Sequence, residues 1–304
     1  MRELILGGTR FGRSALLLLC WLRAAQAEVA VMDDAGTPVK LPQVAQRIVS
    51  LAPHLTELLF AAGAGDKVVA TVEFSNYPAP AKALPRIGSN AAFDLERIAA
   101  LKPDLVVAWG SGNPPGPLAQ LRRLGIPVFV SEPQRLEDIA PSLERLGELA
   151  GTNTAACKAA SIFEAHRAAL AARHAGKREV AVFYEIWNQP LMTIGGSHLI
   201  SAVMTLCRGR NIFANLTQPA ASIGLEAVLR ADPEVIVASG MDEARPEWLN
   251  DWKRWPQLTA VKRDNLFFVP PDLLQRHTPR ILDGAERLCA ALDLARQRND
   301  QPGK

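Results

Sequence analysis

The chain carries one helix-to-strand unit twice, and this repeat constrains the fold more than any other feature. Residues 95–110 (LERIAALKPDLVVAWG) and residues 225–240 (LEAVLRADPEVIVASG) align without a gap, 130 positions apart, with six identical and four conservative pairs. In each copy a proline separates the helix from a continuous apolar strand. Such strands are typical of a parallel sheet whose two faces are covered by helices. We therefore expect two similar, Rossmann-like α/β lobes.

The alternation of strands and helices is interrupted once, near the middle of the chain. Residues 136–150 predict one helix, and residues 154–175, which lack proline and glycine, predict another about 30 Å long. We interpret the long helix as the link between an N-terminal lobe, residues 28–153, and a C-terminal lobe, residues 176–304. Ligands of open α/β sheets bind beyond the carboxyl ends of the strands. The expected ligand site is therefore a cleft between the lobes.

The first residues have the layout of a secretory signal peptide. A basic lead is followed by the apolar run SALLLLCWL and by Ala25-Gln26-Ala27, an A-x-A cleavage pattern. The run is about half the length of a membrane span, and the alternative is a buried N-terminal helix. We predict a signal peptide at residues 1–27, cleavage after Ala27 and a periplasmic product. Cleavage would leave 30 basic and 30 acidic residues from totals of 34 and 31, which does not favour binding to nucleic acid.

Three cysteines remain after the predicted cleavage site: Cys157, Cys207 and Cys289. In an oxidising compartment two of them would pair, and the sequence allows three pairings. Cys157 falls in the long helix, whereas the other two fall in the second half of the chain, which favours Cys207–Cys289. The spacings resemble no zinc site.

Candidate ligand-binding residues follow the predicted strands and are mainly aromatic, small or amide-bearing. This composition suits a large, partly apolar ligand with polar edges. The candidates are Pro53, His54, Tyr77, Trp109, Trp187, Met192, Asp272 and Arg276.

Several of these candidates have a structural alternative. Trp109 can pack into the core of its own lobe. Asp272 and Arg276 can form a surface ion pair that contributes little to stability. His54 can coordinate a metal held by the ligand, but it can equally be a hydrogen-bonded structural residue. Trp187 is expected to lie in a loop, without an obvious partner in the core.

No catalytic motif is found: G-x-S-x-G, H-E-x-x-H and phosphate-binding loops are absent from the sequence. We therefore expect a binding protein that is not an enzyme and has no cofactor. A receptor for free zinc or manganese would need three or four histidine or carboxylate ligands. The chain has five histidines, and His166 and His174 fall on the long helix.

Five segments carry a family resemblance over about residues 40–295. They are RIVSLAPHLTELLFAAGAG, SNYP, DLERIAALKPDLVVAW, CRGRNIF and the pattern D-x-x-x-R-x-x-P-R at 272–280. Together they resemble the helical-backbone metal receptors, the class III periplasmic binding proteins of ABC importers, and in particular their cobalamin-binding members. The resemblance implies two lobes joined by one rigid helix, and a monomer that holds a corrinoid between them. Haem or a ferric siderophore is the alternative ligand.

The resemblance also implies roles for individual residues. Glu96 and Glu226, second in each repeat, match glutamates that dock onto the permease, a transmembrane dimer with its ATPase subunits. The alternative is that each glutamate only interacts favourably with the dipole of its own helix, which stabilises the helix by less than about 1 kcal/mol. The resemblance further supports the pairing of Cys207 with Cys289.

Other positions match or depart from the corrinoid contacts of the family. Tyr77, Trp109, Asp272 and Arg276 match residues that touch the corrinoid there. Asn90, which we also predict to contact the ligand, and the region of Pro219 stand where relatives carry tryptophan. Met192 stands where they carry phenylalanine. We therefore expect a rearranged aromatic set around the ligand.

Overall fold

The computed structural model describes residues 28–240 and 244–300, and the predicted signal peptide lies outside them. The first lobe opens with an antiparallel hairpin, as the alternation around residues 33–36 suggests. Its strands are β1 (Val29–Met32), β2 (Pro38–Leu41), β3 (Ile48–Ser50), β4 (Val68–Ala70), β5 (Leu105–Trp109) and β6 (Val128–Ser131). Its helices are α1 (Pro53–Ala61), α2 (Leu95–Ala100), α3 (Pro115–Arg123) and α4 (Ile139–Ala150).

The second lobe follows a single long helix, α5 (Asn153–His174). Its strands are β7 (Val180–Glu185), β8 (Trp187–Asn188), β9 (Leu191–Ile194), β10 (Gly209–Asn211), β11 (Ala220–Ser222), β12 (Val235–Ala238) and β13 (Leu266–Phe268). Its helices are α6 (Leu199–Leu206), α7 (Leu225–Ala231), α8 (Thr259–Lys262), α9 (Pro271–Leu274) and α10 (Ile281–Asp300).

The two lobes share one sheet topology, which confirms the fold class predicted from the repeat. The first sheet has the order β4-β3-β5-β6 and the second the order β10-β7-β12-β13, and all neighbouring strands are parallel. In each sheet the strand of the repeat, β5 or β12, is third along the chain and lies in an equivalent place. The repeat is therefore one structural unit used in both lobes.

Both faces of each sheet are buried because alternate strand residues enter different cores. In β5, Leu105 and Val107 face the same core as α1 and α4, whereas Val106 faces the core that contains Ile98 of α2. The first of these cores continues through α5 into the second lobe. The two lobes therefore share one continuous apolar core around α5.

Several elements differ from the predictions. Residues 136–150 begin with a 3-10 turn, Leu136–Asp138, before α4. The sequence also predicts a helix around 247–259, and the structure has a 3-10 segment there, Glu247–Arg254. Trp187 lies in β8, not in a loop, because β8 and β11 flank β9 in a small antiparallel sheet that the sequence analysis did not predict. Within the described residues, no helix is long and apolar enough to cross a membrane.

The disulfide joins Cys207, after α6, to Cys289 on α10, as predicted, and Cys157 is an exposed free thiol. The bridge links residues 82 positions apart. Closing a loop of this length restricts the unfolded chain by about 4 kcal/mol in the chain-entropy model. It fastens the C-terminal helix to the second lobe.

Replacing both bridged cysteines by serine is expected to lower the free energy of unfolding by about 2–4 kcal/mol. The loss arises because the unfolded chain regains the conformations that the bridge excluded. Denaturant unfolding of Cys207→Ser/Cys289→Ser measures it. Cys157→Ser is the matched control and should shift stability by less than about 0.5 kcal/mol. Equal stabilities of the double variant and the control would contradict the prediction.

Candidate functional site

A cavity of about 520 Å³ lies between the lobes, where the carboxyl ends of both parallel sheets meet. This is the position at which open α/β sheets bind ligands, and the volume is within the usual range of ligand pockets. The first lobe contributes Trp109, Ser111, Glu132 and Gln134. The second lobe contributes Ile186, Ile194, Ser197, His198, Leu199, Ile200, Pro219, Ala220, Gln275 and His277.

The cavity wall is apolar with few charges. Of the described residues that line it, only Glu132 carries a formal charge at neutral pH, and none is lysine or arginine. The Glu132 carboxylate accepts hydrogen bonds from the backbone nitrogen of Ser111 at 2.6 Å and from its hydroxyl at 3.0 Å. An anionic ligand would find no cationic partner among these side chains.

Trp109 ends β5 and lies on the cavity wall, as predicted. The loop after it is shaped around the ring, since a Cβ at Gly112 would overlap the indole. Asn113 accepts the Trp109 backbone N–H at 2.6 Å and donates to the carbonyl of Asn90 at 2.8 Å, while Asn90 donates to Gly112. Asn90 therefore holds the loop that supports Trp109 and is not itself a lining residue.

His54 is buried at the start of α1, behind Trp109, with the two rings edge to face and their centroids 5.0 Å apart. Its Nε2 is enclosed and has no hydrogen-bond partner among the described residues. Burial, reinforced by His277 and Arg276, lowers the pKa of His54 to about 3. The neighbouring Pro53 is the first residue of α1 and does not line the cavity.

Two histidines that the sequence analysis did not single out line the cavity. His198 caps α6, because its Nδ1 accepts the backbone N–H of Ile200 at 3.1 Å. His277 bonds through Nδ1 to the carbonyl oxygen of Pro133, on the other lobe, at 2.8 Å. A signal for His198 was its place before an apolar helix, and His277 fell inside the D-x-x-x-R-x-x-P-R pattern.

Asp272 and Arg276 belong to a polar cluster that connects the lobes, which we call the interlobe bridge (Glu57, Asn76, Asp272, Arg276, Arg280). Arg276 is 9% exposed and donates to Glu57 at 2.6 Å and to Asn76 at 2.8 Å, and it pairs with Asp272 at 2.8 Å. Arg280 approaches the same Glu57 oxygen at 3.1 Å. The Asp272–Arg276 pair, with Arg276 buried and Asp272 half-buried, therefore contacts the first lobe and is not an exposed surface pair.

Glu57 is the centre of the interlobe bridge and was not among the predicted site residues. It is 3% exposed and also accepts the hydroxyl of Thr278 at 3.1 Å. Burial raises the pKa of the Glu57 carboxyl, and the two guanidinium groups act in the opposite direction. The bridge thus places a carboxylate from α1 against two arginines of the second lobe.

Tyr77 lies in a separate cavity of about 290 Å³ beside the interlobe bridge. Its ring is 44% exposed and packs under Arg280, whose guanidinium carbon is 3.8 Å from the ring centroid. The structure therefore does not bring Tyr77 and Trp109 into one cavity.

Trp187 and Met192 form a cross-strand pair in the small antiparallel sheet. Both side chains are half-buried, and the Trp187 indole nitrogen donates to the carbonyl of Gln189 at 2.9 Å. Neither lines the interlobe cavity, although Ile186 and Ile194 from the same hairpin do. The pair shapes the hairpin that forms part of the wall.

Glu96 and Glu226 occupy equivalent places as the second residues of α2 and α7, and both are exposed. No ion pair involves either one within residues 28–240 and 244–300. The helices run opposite to the parallel strands, so their first turns lie towards the carboxyl edges of the sheets, as the cavity does. Each glutamate therefore lies in a first helical turn at the carboxyl edge of its own lobe's sheet.

Metal ligation by the protein alone is not supported in the part of the chain that the structure describes. No group of three or more histidine, cysteine, aspartate or glutamate side chains is placed to hold a metal ion there. The three histidines near the cavity are spread out, with 6.3 Å between the ring centroids of His277 and each of the other two.

Glu185, at the end of β7, is a buried carboxyl directly before the cavity wall. It is 2% exposed and accepts the Trp252 indole N–H at 2.7 Å. Burial raises its pKa to about 8, from 4.5. Between about pH 4.5 and 8, the folded protein therefore keeps a proton on Glu185 that the unfolded chain has already released. The free energy of unfolding consequently falls as pH rises through that window.

Glu185→Gln is expected to stabilise the protein at pH 8 by about 2 kcal/mol and to leave stability near pH 4 unchanged. The amide keeps an acceptor for Trp252 but has no proton to lose. Denaturant unfolding at several pH values measures the difference from the parent chain. Glu144→Gln, at an exposed position of α4, is the matched control. A difference that does not change with pH would contradict the prediction.

Comparisons with known proteins agree with this architecture. The family described as "Periplasmic binding protein" matches residues 48–273 of the chain. The vitamin B12-binding protein of Vibrio cholerae serotype O1 (strain ATCC 39541) is 38% identical over 257 residues, which cover 84% of this chain and 92% of that protein.

Solved structures are similar over most of the chain. The crystal structure of the periplasmic vitamin B12 binding protein of Vibrio cholerae has a TM-score of 0.76 and 37% identity, covering 83% of this chain and 98% of that one. The periplasmic heme-binding protein of Roseiflexus sp. RS-1 has a TM-score of 0.71 and 24% identity, covering 82% and 99%. The second likeness concerns the fold alone.

Proposed function

The chain belongs to the periplasmic binding protein family, and from this premise we propose that it captures a corrinoid, cobalamin, between its lobes and delivers it to an ABC transporter permease. The family and the relatives are binding proteins of the periplasm. The relatives named for vitamin B12 cover most of the chain, and the chain covers most of them. The ligand would be released when the permease displaces the lobes.

The charge of the interlobe cavity is the observation that carries the choice of ligand. Haem presents two carboxylates and many ferric siderophores are anionic, so both classes call for cationic partners. The described lining residues supply none, and they supply one carboxylate, Glu132. A corrinoid with an apolar ring edge and neutral amide arms suits apolar walls with amide, hydroxyl and imidazole groups.

Within this proposal, Trp109 contacts the corrinoid ring, and the polar residues around it bind the amide arms. Asp272 and Arg276 would contact the ligand only at the border of the interlobe bridge, where they are already paired with Glu57 and Asn76. Trp187 and Met192 would affect ligand binding indirectly, by stabilising the hairpin whose residues Ile186 and Ile194 line the cavity.

Docking to the permease is proposed for Glu96 and Glu226. Their exposure, their equivalent positions and their lack of ion pairs in the described chain support this role. A permease with two like halves would present one basic site to each lobe. Complementary charges chiefly speed encounter and fix orientation.

Isothermal titration of the protein with cyanocobalamin tests the proposed ligand. We expect one-to-one binding of the corrinoid and no binding of haem or a ferric siderophore. Trp109→Ala should weaken corrinoid binding by at least tenfold. The reason is that a buried aromatic side chain at the centre of a binding site can contribute about 2 kcal/mol or more to the binding free energy. Binding of haem or the siderophore without the corrinoid would overturn the choice of ligand.

A further inference from the structure

His277 has one ring nitrogen bonded to the first lobe, and the other has no hydrogen bond among the residues that the structure describes. Its Nδ1 lies 2.8 Å from the carbonyl oxygen of Pro133. A carbonyl oxygen can only accept, so Nδ1 carries the proton and Nε2 carries a lone pair. No hydrogen bond to Nε2 is found within residues 28–240 and 244–300. An imidazole held by Nδ1–H to a backbone carbonyl is the usual form of a metal-ligating histidine.

The surroundings keep this ring neutral. The titratable and charged groups around it are His54, His198, Glu132 and Arg276. Burial lowers the pKa of His277, although the bond to Pro133 and the charge of Glu132 act in the opposite direction. The Nε2 lone pair is therefore available at neutral pH.

The two neighbouring histidines do not offer the same group. His198 uses the lone pair of Nδ1 to accept the N–H of Ile200, so its Nε2 carries the proton and is a donor. His54, the histidine predicted as a possible axial ligand, has its Nε2 enclosed behind Trp109. His277 thus differs from both in presenting an unprotonated nitrogen on a residue that lines the cavity.

Building on the proposed corrinoid-binding function, we propose that Nε2 of His277 coordinates cobalt in corrinoids that carry an exchangeable water. The bond between cobalt(III) and the water oxygen breaks, and the water leaves as a neutral molecule. The Nε2 lone pair forms the new bond to cobalt. No electron or proton is transferred, so the cobalt stays trivalent. Cyanide does not exchange in this way, and cyanocobalamin binds without coordination by the protein.

Absorption spectroscopy and isothermal titration with aquacobalamin and cyanocobalamin test the inference. On binding to the parent protein, the aquacobalamin spectrum should shift to that of an imidazole-substituted corrinoid, and the cyanocobalamin spectrum should stay unchanged. His277→Gln should abolish the shift and weaken aquacobalamin binding about tenfold more than cyanocobalamin binding, a difference of about 1.4 kcal/mol. His166→Gln, at a histidine of α5 outside the cavity, is the matched control and should retain the shift.

Aquacobalamin bound by the parent protein without a spectral shift would overturn the inference but leave the proposed function intact. The same holds for a shift that persists in His277→Gln. The spectrum of the parent protein decides the first case without any variant, so a folding defect of the substituted chain cannot obscure it. Failure of both corrinoids to bind would instead overturn the proposed function, and this inference with it.

Discussion

Reversing both proposed docking charges, Glu96→Lys with Glu226→Lys, is expected to abolish corrinoid uptake in cells while leaving corrinoid binding by the purified protein unchanged. In the proposed docking mode each substitution turns an attraction to a basic permease site into a repulsion, and lost charge pairs at interfaces cost about 2–5 kcal/mol. Two such losses weaken docking by well over 100-fold. Each single reversal should reduce uptake partially, because the other lobe still docks.

A matched double reversal separates docking from general charge effects. Glu144→Lys with Glu148→Lys makes the same change of net charge on two exposed residues of α4, away from the cleft. This control should support normal uptake. Near-normal uptake by the Glu96 and Glu226 variant would contradict the docking role. It would leave only the favourable interaction of each glutamate with its helix dipole, which is under about 1 kcal/mol.

Arg276→Met is expected to lower the free energy of unfolding by about 3 kcal/mol at neutral pH. Removing one partner of a buried ion pair leaves the other charge without compensation, which typically costs about 3–5 kcal/mol. The buried Glu57 would keep Arg280 as a charged partner, which places the expected loss at the lower end. Denaturant unfolding measures the change.

The control for this variant is Arg173→Met, at an exposed arginine of α5, which should change stability by less than about 0.5 kcal/mol. A double-mutant cycle of Glu57→Gln with Arg276→Met should give a coupling of at least about 1 kcal/mol, because the two side chains are in direct contact. Additive effects of the two substitutions would show that the interlobe bridge does not act as a unit.

The fold could be predicted from the chain because its signals are local. A continuous apolar run followed by a turn indicates a buried parallel strand wherever the lobes end up. The capped start of α2, where Asp94 accepts the N–H of Arg97 at 2.9 Å, is also encoded within a few residues. The small sheet of β8, β9 and β11 was missed because its strands are two to four residues long and pair residues up to 30 positions apart.

The candidate site could be predicted only in part, and the missed residues share a cause. Trp109 was identified because it ends a strand that the repeat makes unmistakable. Nothing in the sequence around Glu57 distinguishes it from other helix residues, because its partners Arg276 and Arg280 come from the other lobe. His277 acquires its tautomer from Pro133, 144 positions earlier in the chain.

By itself, the amino-acid sequence determined the two α/β lobes, the long helix between them, the strand ends where a ligand would lie and the paired exposed glutamates. Of the three possible disulfide pairings, it favoured Cys207–Cys289. Only the tertiary structure decided that Trp109 and His277 line one cavity, that Tyr77 lies in another and that Arg276 is buried against Glu57. The periodicity of apolar residues indicates which face of a helix or strand is buried. It does not indicate which loops of the two lobes come into contact, because that depends on how the continuous core around α5 orients the lobes.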